Sequence, residues 1–275
     1  MKREILNKIA VIMSVYGGDR QAPLHQALES LYAQTQNVDI YIQLDGTVTE
    51  DVRNYLLKEN ERDKISYLGE WAINRGLAFS LNELLEIVLY REYVYIARMD
   101  ADDISLPNRM ALQYAFMEAN KNIDAVGGYI EEFSEENISS RIVRYPLTHD
   151  EMFQFFTKRV PLAHVTAFFR RSFFEKAGTY PTVSPTNEDT LLWMKGFQNA
   201  CRFANIPEIL VNVRVSSAFF GRRGGVKKAW SDFKDRVLVI KTLGYNTSSY
   251  FYAIALFFVN IAPSKIKQFL YKRLR

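Results

Sequence analysis

The sequence has one cysteine, no long apolar run and no recognisable secretory leader, and each absence narrows the class of protein. Cys201 is the only cysteine in 275 residues, so no intramolecular disulfide can form, which fits a reducing cytosol. The uncharged run over residues 242–264 has an apolar part of about a dozen residues, too few to cross a bilayer. Near the N-terminus, Lys2, Arg3 and Lys8 precede only a short strand-like run without a small-residue cleavage site. We therefore expect no disulfide, secretory leader or membrane span.

Excess basic charge is absent from most of the chain and concentrated near its C-terminal end. The net charge is +4, yet residues 212–275 contain 13 Lys and Arg against 2 acids, and the preceding 211 residues contain 22 against 29. Such a tail can bind nucleic acid, a membrane surface or a phosphorylated lipid. The apolar and aromatic run 250–259 favours an anionic bilayer surface over nucleic acid, because it stands beside Lys265, Lys267, Lys272, Arg273 and Arg275. The alternative is a buried C-terminal helix with a solvated basic end.

Apolar periodicity predicts strands that alternate with helices over the first hundred residues. Strand patterns cover residues 9–16, 38–44, 65–68 and 93–97, and helical patterns follow near Pro23, over 49–58 and over 76–90. A further strand pattern covers residues 209–215. Alternation of this length predicts an α/β fold with a parallel sheet and right-handed crossovers.

Acidic residues crowd the point where the strand pattern 93–97 ends. Asp100, Asp102 and Asp103 lie within four positions of one another, and like charges this close repel unless they are solvated or bind a hard divalent ion. A solvated acidic turn before a helix, with Ser105 as its cap, is therefore one interpretation and a metal site is the other. Ligands of open α/β sheets bind at the carboxyl ends of strands, which favours the metal site. Asp45 likewise directly follows a strand pattern, the one over residues 38–44.

Several motifs in a fixed order resemble those of inverting nucleotide-sugar glycosyltransferases of family 2, which have the GT-A fold. They are an opening strand at 11–16, Leu-Asp-Gly-Thr at 44–47, Asn-Arg-Gly-Leu at 74–77 with Asn82, Met-Asp-Ala-Asp-Asp at 99–103 with Leu-Pro-Asn-Arg at 106–109, His164 to Arg170, and Asn-Glu-Asp-Thr-Leu-Leu-Trp at 187–193. Two positions depart from the family pattern, because Leu44 replaces an Asp and Gly17 replaces an Asn. The Gln-x-x-Arg-Trp segment and the membrane spans of the processive members are absent, which favours transfer of a single sugar.

The resemblance implies a Rossmann-like GT-A domain over residues 1–215, with a mostly parallel central sheet flanked by helices. It is followed by a basic, amphipathic helical extension over residues 216–275 that associates with the membrane. The resemblance also implies a donor site, with Ser14, Tyr16, Asp45, Arg75, Asp100 and Asp102 as nucleotide-sugar contacts. Asp45 would accept the N3 proton of uracil. Asp102 and Asp103 would bind Mn²⁺ or Mg²⁺, although the residue types alone do not distinguish the roles of Asp100, Asp102 and Asp103.

On the acceptor side, the resemblance implies that Asp189 is the general base and that Glu188 positions it or the acceptor hydroxyls. An acidic residue favoured by the dipole of the following helix is the alternative interpretation of Asp189. His164 is a candidate contact for the diphosphate or the metal. Arg222 and Arg223 precede two glycines, and this segment either closes over the pyrophosphate as a lid or connects to the C-terminal helices.

The implied function is metal-dependent transfer of one hexose, glucose or galactose, from a UDP-sugar in a β linkage. The implied acceptor is a sugar such as GlcNAc on diphosphoundecaprenol, in O-antigen or exopolysaccharide synthesis. The enzyme would act at the cytoplasmic face of the bacterial inner membrane as a peripheral protein. Two alternatives stay open. A nucleotidyltransferase would need a basic, Gly-rich loop after the first strand, which residues 14–19 lack, and a lipid- or glycan-binding module would not need both acidic motifs.

Overall fold

A computed structural model describes residues 9–134, 137–184, 187–215 and 226–261. A sheet of nine strands runs through these residues. In chain order the strands are β1 (Ile9–Tyr16), β2 (Asp39–Asp45), β3 (Tyr67–Glu70), β4 (Tyr95–Arg98), β5 (Ile104–Ser105), β6 (Ala125–Ser134), β7 (Asn137–Val143), β8 (Phe168–Arg170) and β9 (Phe203–Arg214). In space the order is β3, β2, β1, β4, β8, β6, β9 and β5, with β7 paired to β6.

Helices cover both faces of this sheet. In the described residues they are α1 (Gln21–Tyr32), α2 (Glu50–Glu61), α3 (Leu77–Tyr90), α4 (Arg109–Ala119), α5 (His149–Phe156), α6 (Arg171–Ala177), α7 (Glu188–Gln198), α8 (Val226–Thr242) and α9 (Ser248–Ile261), with one 3₁₀ turn at His164–Thr166. The α/β class with flanking helices and a C-terminal helical extension is therefore confirmed.

The first four strands are parallel, as the alternating pattern predicts. β1 lies between β2 and β4, and β3 adds to the outer side of β2. The register places Tyr16 beside Asp45 at the carboxyl ends of β1 and β2, and β4 ends at Arg98, directly before the acidic cluster. Parallel pairing therefore brings the predicted donor-site residues to one edge of the sheet.

The second half of the sheet is mixed. β8 pairs antiparallel with both β4 and β6, and β6 runs parallel to β9. The strand expected at residues 209–215 is the end of the longer β9, which also pairs antiparallel with β5. β8 has 3 residues and β5 has 2, so neither is long enough to give a periodic signal in the sequence.

The core consists of two apolar layers, one on each face of the sheet. On one face, Val11 and Met13 of β1 pack with Leu28 of α1 and with buried residues of α2 and α4. On the other face, Ile12 packs with α3 and with an aromatic group around Trp193 and Phe203. The alternation of side chains along β1 explains how one strand serves both layers, which is typical of a parallel strand buried on both sides.

The two C-terminal helices form a hairpin that packs on the remainder of the molecule through α8. Val239 of α8 joins the second apolar layer, and Arg236 donates from Nη1 to the carbonyl of Phe156 at 2.6 Å. By contrast, the buried residues of α9 are Ser249 and Ala253. In the described ranges no helix is both long and apolar enough to cross a membrane.

Candidate active site

The predicted donor-site residues lie at the edge of the sheet formed by the carboxyl ends of β1, β2 and β4, which we call the donor edge. The Asp45 carboxylate holds this edge together. Asp45 is 2% exposed, and its two oxygens accept the backbone N–H groups of Arg75 at 2.6 Å and Gly76 at 2.9 Å. These bonds tie the end of β2 to the segment that begins α3. Gly46 has φ +81°, and a Cβ there would lie 2.5 Å from the backbone N of Asn74, so this tight turn requires glycine.

An aromatic and cationic surface lies beside Asp45. The guanidinium carbon of Arg75 is 4.4 Å from the ring centroid of Trp71 and 5.1 Å from that of Phe79, so the side chain is held between two rings. Tyr16 is partly exposed at the end of β1, and Ser14 is half-buried two residues earlier. The structure therefore brings the predicted nucleotide contacts of β1, β2 and α3 to one edge.

Arg98 is the buried cation of the site. It is 4% exposed, and its two terminal nitrogens donate to both carboxylate oxygens of Asp100. Although burial opposes its charge, Asp100 and the Tyr180 hydroxyl raise the pKa of Arg98. Its Nε is buried without a hydrogen-bond partner among the described residues. Sequence reasoning assigned no role to Arg98, although it directly precedes the acidic cluster.

The surroundings of Asp102 and Asp103 disfavour the ionised form of both acids. Burial and then the charge of Asp100 raise the pKa of Asp102, and burial with the charges of Asp100 and Asp102 raises that of Asp103 well above its usual range. Arg214, at the end of β9, donates its backbone N–H to Asp103 at 2.8 Å and its Nε to the carbonyl of Asp102 at 3.0 Å. The sequence did not predict Arg214 as a site residue. Its position at the end of a strand was the signal that could have indicated it.

The acidic cluster suits a hard divalent ion by its chemistry. Its carboxylates repel one another even with Arg98 present, so an added cation would relieve that repulsion. In the parts of the chain that the structure covers, no three ligating side chains converge on one point. Mg²⁺ is nonetheless commonly bound through one or two carboxylates together with water and substrate phosphates. Asp102 is partly exposed and Asp103 is buried beside it, and this pair fits such a site.

The acceptor side is formed by the first turn of α7. Glu188 is buried, and burial together with the neighbouring Asp189 raises its pKa to about 7. Asp189 accepts the backbone N–H of Thr190 at 2.6 Å through Oδ1, so its carboxylate is held against its own helical turn. Two adjacent carboxylates of different environment are typical of sites that move protons.

Arg98 connects the donor and acceptor sides electrostatically. Its positive charge lowers the pKa of Glu188, opposing the larger effect of burial. It also adds to burial in holding the pKa of His164 well below its usual range. Nε2 of His164 is 2.8 Å from the hydroxyl of Tyr180. Tyr180 gave no signal in the sequence. Burial raises its pKa, the charge of Arg98 opposes this effect, and the charges of Glu188 and Asp189 add to it.

The structure thus brings the three acids of segment 100–103 and the two acids 188–189 around the Arg98 guanidinium, with His164 nearby. Ser14, Tyr16, Asp45 and Arg75 occupy the adjoining edge. Arg222 and Arg223 lie outside the described residues, so the lid remains a prediction.

The raised pKa of Glu188 predicts a pH-dependent stability. The folded chain binds this proton up to about pH 7, whereas an ordinary Glu loses it near 4.5. Stability is therefore lost as pH rises through this window. Glu188→Gln, which is neutral, should raise the free energy of unfolding by about 1–3 kcal/mol at pH 8 and by much less at pH 5. Urea unfolding at both pH values measures this, with the exposed Glu61→Gln as control. An equal effect at both pH values would contradict it.

Comparison with known proteins agrees with this geometry. Residues 10–178 match the family described as Glycosyl transferase family 2. The amylovoran biosynthesis glycosyltransferase AmsE of Erwinia amylovora is 30% identical over 271 residues, covering 96% of this chain and 98% of the relative. An Escherichia coli protein named UDP-Gal:alpha-D-GlcNAc-diphosphoundecaprenol beta-1,3-galactosyltransferase is 28% identical over 276 residues, covering 97% and 96%.

Solved structures share the fold at low identity. The mannosyltransferase PcManGT from Pyrobaculum calidifontis, in complex with GDP-Man and Mn²⁺, matches with a TM-score of 0.62 at 16% identity, covering 90% of this chain and 73% of that one. S. aureus TarS 1-349 in complex with UDP-GlcNAc matches with a TM-score of 0.60 at 14% identity, covering 94% and 82%. These likenesses confirm the GT-A fold. With the family match over more than half of its length, the chain belongs to glycosyltransferase family 2.

Proposed function

We propose that this glycosyltransferase is an inverting, metal-dependent enzyme that moves one hexose, glucose or galactose, from a UDP-sugar to a sugar acceptor. The observation that carries the proposal is the arrangement of two acidic groups, Asp102 with Asp103 and Glu188 with Asp189, around the buried guanidinium of Arg98. Asp102 and Asp103 would act, through a bound metal ion, on the leaving nucleoside diphosphate. Glu188 and Asp189 would act on the attacking hydroxyl of the acceptor. The name of the Escherichia coli relative supports a UDP-sugar donor.

On the donor side, Asp102 and Asp103 would hold Mn²⁺ or Mg²⁺. Once bound, the ion stabilises the charge that develops on the departing diphosphate. Tyr16, Ser14 and Arg75 line the edge where the nucleotide would bind. Asp45 already accepts two backbone N–H groups, and the remaining lone pairs of its oxygens are available to the uracil N3 proton. His164 and the segment with Arg222 and Arg223 are proposed diphosphate contacts.

On the acceptor side, Asp189 would remove the proton of the attacking hydroxyl as its oxygen bonds to the anomeric carbon. The attack comes from the face opposite the leaving UDP, so an α-linked donor gives a β-linked product. Glu188 would hold the acceptor hydroxyl. With its pKa near 7, it can donate or accept a hydrogen bond at physiological pH.

The proposed acceptor is GlcNAc-diphosphoundecaprenol or a related lipid-linked sugar in O-antigen or exopolysaccharide assembly. The names of the Escherichia coli and Erwinia amylovora relatives support this choice. Because such an acceptor is anchored in the membrane, we propose that the enzyme works as a peripheral protein at the cytoplasmic face of the inner membrane.

The exposed face of α9 supports attachment to that membrane. Phe251 is 74% exposed and Phe258 is 60% exposed, and Ile254 lies on the same side of the helix. On α8, Trp230 is also exposed and stacks on Phe233 with 5.5 Å between ring centroids. An exposed apolar face of this kind marks an interaction site, and aromatic side chains suit the lipid interface. The basic residues from Lys265 to Arg275 that would add electrostatic attraction lie outside the described residues.

The proposed metal site predicts the effect of removing its ligands. Asp102→Ala or Asp103→Asn should abolish transfer and metal-dependent UDP binding while the fold stays intact, because removal relieves like-charge repulsion. Release of UDP measures turnover, and titration calorimetry with Mn²⁺ and UDP measures binding. Asp51→Asn, on the exposed start of α2, is the matched control. Near-normal turnover of either variant in the presence of a chelator would refute metal assistance.

The proposed base predicts a separate kinetic result. Asp189→Asn should lower kcat about a hundredfold or more, since a general base contributes roughly 10²- to 10⁴-fold. KM for the donor should change little, because Asp189 belongs to the acceptor side. Asp63→Asn makes the same chemical change on the exposed surface and should have no effect. Loss of donor binding by Asp189→Asn would instead assign this residue to the nucleotide site.

Membrane attachment predicts a phenotype that depends on the acceptor. Phe251→Ser with Phe258→Ser, or truncation after Gly244, should release the protein from vesicles that contain anionic lipid. Transfer to a long-chain lipid acceptor should fall more than transfer to a short, water-soluble one. High salt should weaken vesicle binding of the full chain, because it screens the basic residues. If the full chain does not bind these vesicles at low salt, the attachment is refuted.

A further inference from the structure

Asn187, the residue before α7, bonds through its side chain to another helix and does not cap its own. Asn187 is the N-cap of α7, a position where an asparagine commonly accepts a backbone N–H of its own helix, yet it makes no such bond. Its amide nitrogen instead donates to two carboxylates of α8, to Asp232 at 2.9 Å and to Asp235 at 2.7 Å. The start of α7 is therefore fixed by another helix and not by its own cap.

Ser184, three residues before Asn187, makes a second bond to α8. Ser184 is buried and donates from Oγ to Oδ2 of Asp235 at 2.8 Å, which is the same oxygen that Asn187 contacts. One carboxylate oxygen thus accepts hydrogen bonds from residues 184 and 187. A shift of the first turn of α7 relative to α8 would break the bonds of Asn187 to that helix.

Asp232 connects the same turn to the hairpin. Its Oδ1 also accepts from Lys228 at 2.9 Å within α8, and its Oδ2 accepts from Asn260 of α9 at 3.2 Å. One turn further along α8, the buried Arg236 responds electrostatically to Asp189 and Asp232. The helix that carries the two carboxylates therefore lies close to the acceptor side of the active site.

We propose that Asp232 and Asp235 are positioning residues for Asp189. The inference rests on the proposed role of Asp189 as the base. The carboxylate of Asp189 is bonded to the N–H of Thr190, so it moves with the first turn of α7, and that turn is fixed through Asn187. A general base must lie about 2.6–3.2 Å from the proton it removes, and a displacement of 1 Å can cost on the order of a hundredfold in rate.

The experiment compares two replacements of one carboxylate. Asp235→Leu removes the acceptor oxygen, whereas Asp235→Asn retains one oxygen at the position that Ser184 and Asn187 contact. We expect Asp235→Leu to lower kcat by about 10- to 100-fold, with KM for the UDP-sugar within about twofold, because the donor edge lies elsewhere. Asp235→Asn should recover most of kcat. Lys234→Gln, at an exposed position of the same helix, is the matched control.

A double-variant cycle tests whether the effect runs through Asn187. Asn187→Leu should reproduce the loss of kcat, and Asn187→Leu combined with Asp235→Leu should lose clearly less than the two single losses multiplied together, because the bond between Asn187 and Asp235 is common to both. Circular dichroism and thermal unfolding report the folded fraction, by which kcat is corrected. If Asp235→Leu does not fold, Asn187→Leu and Asp235→Asn carry the test.

The outcomes separate the inference from the function on which it rests. If Asp189→Asn keeps its turnover, the base is wrongly assigned and the inference fails with it. If Asp189→Asn is inactive but the corrected kcat of Asp235→Leu and of Asn187→Leu is normal, the inference alone is overturned. Additive losses in the double variant, or no recovery in Asp235→Asn, would also overturn it.

Discussion

The ion pair between Arg98 and Asp100 is the interaction on which the site depends. A guanidinium buried at the end of a central strand is tolerated only when a carboxylate and hydrogen bonds compensate its lost hydration. Behind it, the fully buried Arg109 donates from Nη2 to the carbonyl of Arg98 at 2.8 Å, and burial together with the charge of Arg98 lowers the pKa of Arg109 to about 9. Positive charge is thus built into the layer directly beneath the acids.

This buried charge does not neutralise the site completely. Burial, followed by the charges of neighbouring acids, keeps the pKa values of Asp102, Asp103 and Glu188 raised despite Arg98, so the protein alone disfavours the ionised form of these acids. Such surroundings suit the proposed site, which would bind a divalent ion on one side and remove a proton on the other, because an added positive charge favours the ionised carboxylates. The proposed preference of these acids for a divalent cation would follow from their burial, because solvated acids at the surface would repel one another much less.

The sequence predicted those parts of the fold and site that leave a local signal. β1 to β4 coincide with apolar strand patterns, and Asp45, Asp100, Asp102 and Asp103 lie at or just after the ends of such patterns. β5 and β8 are too short for a periodic pattern, and their pairing depends on partners far along the chain. The roles of Tyr180 and Arg214 likewise depend on tertiary contacts, with His164 and with Asp102 and Asp103. Local pattern thus located the acids, whereas their compensating partners required the folded structure.

The contacts of α8 change the meaning of the C-terminal extension. Its sequence predicted a membrane-associated extension separate from the catalytic domain, and the exposed apolar face of α9 agrees with attachment to a membrane. The same hairpin, however, carries Asp232 and Asp235, whose carboxylates hold the turn before Asp189. Because one pair of helices both faces the proposed membrane and holds the proposed base, the base would sit at a fixed distance from the bilayer. The proposed lipid-linked acceptor would keep its sugar near the same bilayer, so one structural element would bring the two reacting groups together.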